Sequence, residues 1–343
     1  MPSSGPSTPT SGRRPTLVTV AHAAGVSRAT ASRVLSGSTS VDASMAAAVW
    51  RAARELRYET NKAAQSLRSG RTGSIALVAA ASELDQGIGG TFTAAPVRGA
   101  TKVLIEAQIQ PVLLLVDGAD PGRVAHYLRR GHVDGAIVIL QHEITFLLDE
   151  LRDLDLPLVY VGRPADPQPS HPVVDCDNAE GARLATRALL EAGRRRLVMI
   201  AGPSDIGSGE DRVTGFREEH EAWGLTPGRI ARGEFTLATG AAAMARLLRH
   251  DPAIDGVFAS SDLMAVGAVR VLHGAGRTVP DDVSVVGFDD TVVAATCDPP
   301  LTSVRQPLEE MGRTAARLLV DGAAAAGAVV PVLSTSLTTR ESV

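Results

Sequence analysis

Seven short apolar runs, each separated from the next by other sequence, constrain this chain more than any other feature. They read SIALVAA (74–80), PVLLLV (111–116), GAIVIL (135–140), LPLVYV (156–161), RLVMIAG (196–202), GVFASS (256–261) and VSVVGF (283–288). Each is apolar at consecutive positions, the pattern of a strand covered on both faces. Segments with helical spacing fall at 96–108, 122–131, 143–153, 178–193, 210–223, 239–250 and 262–275. Strand and helix in alternation predict parallel sheets with right-handed crossovers. Residues 73–343 are too many for one tidy sheet, so two α/β lobes are expected, with a ligand held between them at the carboxyl ends of strands. Aromatic residues make up only 3% of the chain, so Val, Ile, Leu and Ala must fill these cores.

The first seventy residues read differently. Thr16 is placed to cap a helix whose apolar positions are Leu17, Val20, Ala21 and Ala24. Gly25 follows, the residue best able to take a positive φ after a helix. Ser27 then caps a second helix expected to bury Thr30, Ala31, Val34 and Leu35, and Gly37 ends it. A third helix is expected over 43–56, with Met45, Val49, Ala52, Ala53 and Leu56 on its core face. This is an all-α helix-turn-helix head over 15–60. It carries a short segment, NKAAQSLRSG (61–70), as a hinge helix or linker over 61–72. The stretch before it, 1–14, is rich in Pro, Ser, Gly and Thr and is expected to be a disordered leader without the apolar core of a signal peptide.

Charge separates the two regions. Residues 1–72 hold ten Lys/Arg against three acids, a net of +7; the remainder of the 34 basic and 38 acidic residues leaves 24 against 35, a net of -11. A basic head on an acidic body points to a polyanionic partner for the head alone. A helix starting at Ser27 directs Arg28 and Ala29 outward, and Arg33 lies one turn on. Arg28 is suited to a bidentate bond with guanine, Ala29 to a thymine methyl, and Arg33 to a base or a phosphate.

Other classes find little support. Cys176 and Cys297 lack metal spacing and read as reduced thiols of a cytoplasmic protein. No run approaches the length of a membrane helix. No GxGxxG follows the first strand, and there is no P-loop, GxSxG, HExxH or clustered His/Cys set. No catalytic residue, metal site or cofactor is therefore expected. The runner-up to a regulator is the solute-binding protein of a sugar transport system, against which stand the basic head and the missing signal peptide.

The residues LVTVA and AGVSRATASRVLSG, with VxxxxxxxVWRAARELRYETNKAAQSL after them, closely resemble the lac repressor family of bacterial transcription regulators. The likeness continues through VDGAIV, VDCDNAEGARLATRALLEAGRRRLVMIAGP, DRVTGF, ASSDLMAVGAVR, VPDDVSVVGFDD and PPLTSVRQPLEEMG, covering nearly all of 15–341. It implies a DNA-binding regulator, a repressor in the first instance. Its two-lobed body, like periplasmic sugar-binding proteins, would sense a small-molecule effector: a sugar first, a purine or another metabolite as alternatives. Lobe 1 is expected over about 73–174 and 305–330, lobe 2 over about 175–304 and 331–343.

The resemblance also implies roles. Thr16, Leu17, Ser27, Arg28, Ala29, Thr30, Ser32 and Arg33 would contact the operator. Asn61, Ala64 and Leu67 would do so from the hinge, Leu67 as a wedge in the minor groove. About ten residues do not hold a helix alone in water, so the hinge helix would form only when two copies pack on DNA. Effector contacts would come from Phe92, Arg163, Arg212, Phe235, Ser261, Asp262 and Asp289, although core packing for the two Phe and an N-cap role for Asp262 are equally open. A homodimer is expected, since the chain stops at Val343 without a heptad tail. The head departs from the family at Thr19, usually an acid, and at Arg57 and Thr60, which replace a common Gly and Pro. In the body, ELDQGIGGTFT (83–93) stands in place of DxxNPFF, without its Asn and one aromatic.

Overall fold

The computed structural model describes residues 15–36, 40–58, 70–82, 91–117, 122–166, 168–325 and 330–343. Their contacts divide the chain into two compact units, with the boundary between Thr72 and Gly73.

The first unit is a three-helix head of α1 (Leu17–Ala23), α2 (Arg28–Leu35) and α3 (Ala43–Glu55). Each start is capped by a side chain. The Thr16 hydroxyl accepts from the Thr19 amide (3.3 Å), and the Thr16 amide donates back to the Thr19 hydroxyl (2.8 Å). Thr19 therefore does here what a capping-box acid does elsewhere. Ser27 accepts from the Thr30 amide (3.0 Å), and Asp42 from the amides of Ser44 (2.9 Å) and Met45 (3.3 Å). Gly25 has φ +66° in the turn between α1 and α2, the left-handed conformation glycine adopts without a Cβ clash. The core is small: Val20, Ala21, Ala31, Val34, Val49, Ala52 and Ala53. Leu35, expected buried, is half-buried beside it, and two residues expected on the core face of α3 are not in it. Met45 is 48% exposed and Leu56 36% exposed, because α3 turns only its Val49–Ala52–Ala53 stripe inward. Thr30 is half-buried, its hydroxyl 2.9 Å from that of Ser27.

The second unit holds two sheets. In the first lobe, β1 (Ser74–Ala80), β2 (Gln110–Val116), β3 (Gly135–Ile139), β4 (Leu158–Val161) and β5 (Val173–Val174) form a parallel sheet ordered β2-β1-β3-β4-β5. Ser74 pairs with Gln110, and Ile75 with Gly135. Helices α4 (Thr91–Glu106) and α12 (Leu308–Val320) cover one face; α5 (Gly122–Arg129) and α6 (Leu147–Leu151) cover the other. Successive strand residues alternate between two cores. Ile75, Leu77, Ile137 and Ile139 point to the first face, and Ala76, Val78, Ala136 and Val138 to the second. That is why the strands are apolar at every position.

The second lobe is ordered β11-β10-β9-β8-β6-β7, from β6 (Leu197–Ala201), β7 (Ile230–Arg232), β8 (Gly256–Ala259), β9 (Ser284–Asp289), β10 (Thr302–Arg305) and β11 (Ser336–Thr338). All pairings are parallel except β10 with β11. Helices α7 (Asn178–Glu191) and α8 (Gly207–Ala222) cover one face, α9 (Leu237–His250) and α10 (Asp262–Gly274) the other; α11 (Val292–Thr296) follows β9. The chain crosses between lobes after β5, between β10 and α12, and between α12 and β11. In each sheet the strand order reverses beside a central strand, β1 or β6, which places a crevice at the carboxyl ends. Among the described residues no helix is long and apolar enough to cross a membrane.

Candidate functional site

In the head, the first residues of α2 are offered to solvent. Arg28, Ala29 and Arg33 are exposed and Ser32 is half-buried. Their i, i+4 spacing makes one stripe, with Ala31 and Val34 buried on the opposite side of the helix. Ser27, exposed, keeps its hydroxyl on the Thr30 amide at the helix start, where free backbone N–H groups give partial positive charge. Thr16 is exposed and Leu17 half-buried at the start of α1. Asn61, Ala64 and Leu67 lie outside the described residues.

In the body, one cavity opens between the carboxyl ends of the two sheets, about 860 Å³ of atom-free space with its mouth included. Six of the seven residues singled out from sequence line it: Phe92, Arg163, Arg212, Phe235, Ser261 and Asp289. Phe92 comes from the start of α4 in lobe 1 and Phe235 from the loop after β7 in lobe 2, so each lobe supplies one aromatic wall. Phe235 has φ +56°, and its ring lies where a side chain on Gly202 would stand, 2.3 Å from an ideal Cβ. Only glycine at 202 allows that ring position.

Arg212 is 3% exposed and rigidly held. Its Nε donates to Asn178 Oδ1 (3.0 Å), Nη1 donates to the Ser260 carbonyl (2.6 Å), and the guanidinium lies 3.7 Å from the centre of the Phe288 ring. Nη2 donates to nothing among the described residues, so one arm of a fixed fork remains for a ligand. Ser261 caps α10, accepting from the Met264 amide (3.3 Å). Arg163 is paired with Asp211 (2.5 Å) across the lobes.

Asp262 does not reach the cavity. It is fully buried behind the wall: Oδ1 accepts from the Ser303 hydroxyl (2.6 Å), and Oδ2 from the Thr291 amide (2.7 Å). Burial pushes its carboxyl up to about 6, against the pull of those hydrogen bonds. Nor is it the cap of α10, which Ser261 supplies; its work is to tie the segment after β9 to β10.

Several lining residues are not among those singled out from the sequence: Gln141, His142, Asp175, Glu234 and Gln306. Asp175 and Gln306 directly follow β5 and β10, and Gln141, His142 and Glu234 lie two or three residues past β3 and β7; that position is the signal that could have found them. Asp175 accepts from the Cys176 amide (2.8 Å) and from Asn178 Nδ2 (3.1 Å), yet burial raises it to about 6, with the Arg212 charge pulling the other way. Gln306 donates to Asp289 Oδ1 (2.6 Å) and accepts from the Cys176 thiol (3.2 Å). Asp289 has φ +108° and Asp290 φ +51°. This backbone is pinned because Asp290 is gripped by Arg340 and Arg305, both at 2.5 Å, which together with Thr338 outweigh burial and lower its pKa. The cavity thus presents fixed donors, carboxylate and amide acceptors, and two ring faces. That set matches a ligand rich in hydroxyls. Among the described residues no group of three or more His, Cys, Asp or Glu is placed to hold a metal.

Comparison with known proteins agrees on both units. The profile of bacterial regulatory proteins of the lacI family matches residues 16–61, and that of the periplasmic binding protein-like domain matches 186–343. The HTH-type transcriptional regulator CelR of Thermobifida fusca is 45% identical, over 90% of this chain and 92% of that protein. The ribose operon repressor of Halalkalibacterium halodurans is 33% identical, over 89% of each. A solved CelR–cellobiose complex superposes with a TM-score of 0.74 at 42% identity, covering 96% of this chain and all of the other. The lac repressor dimer on its operator superposes with a TM-score of 0.82 at 24% identity, covering 96% and 99%, and shares the fold.

Proposed function

The chain belongs to the lacI family of bacterial regulatory proteins, and from that premise we propose that its α2 stripe reads operator DNA while a carbohydrate in the cleft tunes the grip. It is an HTH-type transcriptional regulator, a repressor in the first instance, and it acts as a homodimer on operator DNA. Arg28, Ala29 and Arg33 face base edges, and Thr16, Ser27 and Ser32 fix the register against phosphates. Two copies present two such stripes to a two-fold operator. The hinge residues Asn61, Ala64 and Leu67 follow DNA binding in the same scheme. Large apolar side chains left exposed on one edge of lobe 1, Ile105 (62%) and Leu113 (48%), suit burial against a second copy.

The relative described with cellobiose makes that disaccharide the first effector to test. In the cleft, Phe92 and Phe235 stack on apolar sugar faces, and Arg212 Nη2, Ser261, Asp289 and Arg163 bind hydroxyls. The protein works in the cytoplasm, and no residue set proposes a reaction.

The observation that carries the reading is the stripe of exposed Arg28, Ala29 and Arg33 with half-buried Ser32 on a capped second helix. Fluorescence anisotropy with the chain's own upstream DNA and a scrambled control, across a salt series, tests it. Preference for the upstream sequence, with binding that weakens steeply as salt rises, is expected. Equal binding of both duplexes, or none at low salt, refutes it.

A further inference from the structure

The cavity's mouth is bridged by one side chain. His142 lies in the 3-10 turn His142–Ile144 after β3, in lobe 1. Its Nδ1 is 2.7 Å from both carboxylate oxygens of Asp205, and its Nε2 is 3.0 Å from Glu234 Oε2. Asp205 sits in the loop between β6 and α8, and Glu234 in the loop between β7 and α9. A single imidazole of one lobe therefore engages two separate loops of the other. Thr145 reinforces it, donating to Asp205 Oδ2 (3.0 Å) and to the His142 carbonyl (3.1 Å). Beside it the Gly207 amide donates to the Arg163 carbonyl (2.8 Å), a backbone bond between lobes. The side chains of His142 (37%), Asp205 (40%) and Glu234 (52%) are partly exposed, while His142 and Glu234 also line the cavity. The bridge thus stands where solvent meets the binding space.

We propose that His142 is a positioning residue for the bound effector: it latches lobe 1 to lobe 2 over the cavity through Asp205 and Glu234, and so governs how slowly the effector leaves. A ligand beneath the bridge departs only when the lobes part. Exposed polar contacts are individually weak, but one imidazole held by two carboxylates on separate loops acts at the point where the lobes separate, so breaking it speeds opening more than it disturbs either lobe. Entry also requires parted lobes, so loss of a latch that holds the ligand-free lobes together speeds dissociation and does not slow association.

The test has two arms on the full chain. Without ligand, hydrogen–deuterium exchange is followed in peptides spanning 203–211, which include the Gly207 amide, in the parent, His142→Ala, His142→Gln and Glu234→Gln. With ligand, cellobiose dissociation is timed by stopped flow. His142→Ala is expected to raise exchange in 203–211 and the dissociation rate about fivefold or more, with association no slower than in the parent. His142→Gln, which keeps one donor toward Asp205, and Glu234→Gln should fall between. Peptides from β1 and β9 should exchange as in the parent, which establishes folding. Unchanged exchange in 203–211 in all three variants overturns the latch. The ligand arm rests on the carbohydrate reading of the cleft and the exchange arm does not: if cellobiose fails to bind the parent, that reading falls and exchange still decides the latch.

Discussion

Arg57 closes α3 with φ +49°, donating its amide to the Arg54 carbonyl (3.1 Å) while the Tyr58 amide reaches the Ala53 carbonyl (2.8 Å). Glycine suits that left-handed position, and arginine carries a Cβ clash there. Arg57→Gly is expected to stabilise the head by roughly 0.5–1 kcal/mol. A rise in the urea midpoint of head unfolding checks it, and an unchanged or lower midpoint contradicts it. Asp175 yields a pH prediction. Its folded value of about 6 lies above the ordinary carboxylate value near 3.8, so the folded state holds a proton that the unfolded chain gives up in between. This group's contribution to stability is therefore full below about pH 4 and is lost as pH rises to about 6. Asp262 shares the direction, so the test is a difference: Asp175→Asn should gain on the parent in Tm between pH 4 and 6. Parallel Tm curves across that window would show that Asp175 titrates alike in both states. At the head, Arg28→Ala should abolish preference for the upstream sequence while leaving weak general DNA binding; discrimination equal to the parent's defeats the base-reading role.

Helices α4 and α12 meet through glycine on both sides. A Cβ on Gly99 would stand 2.0 Å from the Glu309 carbonyl oxygen, and one on Gly312 2.1 Å from that of Pro96. Gly312→Ala must push the pair apart and is expected to destabilise lobe 1 by about 1–3 kcal/mol. Gly274→Ala, with open space at the end of α10, should be neutral or mildly stabilising. Equal Tm values for the two variants would count against the close approach. At this scale the sequence was most readable. The seven apolar runs each became a strand; all but β2 are buried on two faces, and β2, at the sheet edge, is partly exposed. The strands β5, β7, β10 and β11 span two to four residues, too few for a period to show, and took their places through pairing with neighbours. Helix 143–153 broke into the turn at His142 and α6, and α4 began five residues early, carrying Pro96 inside it. For the cleft, Arg212 and Asp289 were legible because long motifs surround them. Gln141 and His142 were not, and Asp175 and Gln306 were passed over although they stand inside quoted motifs, since single polar residues past strand ends carry meaning only once the sheets are assembled. Asp262 misled because a buried carboxylate tying two backbone segments has the same sequence setting as one facing a ligand.

Across the whole molecule, links between the lobes among the described residues include the His142 bridge, the Arg163–Asp211 pair, and the Asp289–Gln306–Cys176 chain at the crossovers. A ligand touching Asp289, Arg212 and Arg163 binds groups whose positions depend on how the lobes meet, so it favours one lobe arrangement over another. Regulation then requires the effector and the operator to alter each other's affinity by one common factor. Arg212→Ala should remove that coupling while operator binding persists. The most direct measurement is the Kd of cellobiose for the full chain, free and saturated with its upstream operator, set beside the operator Kd with and without cellobiose. Coupling between cleft and operator predicts a change of about fivefold or more in both, equal within error. Tight cellobiose binding with an identical Kd in both states would contradict it.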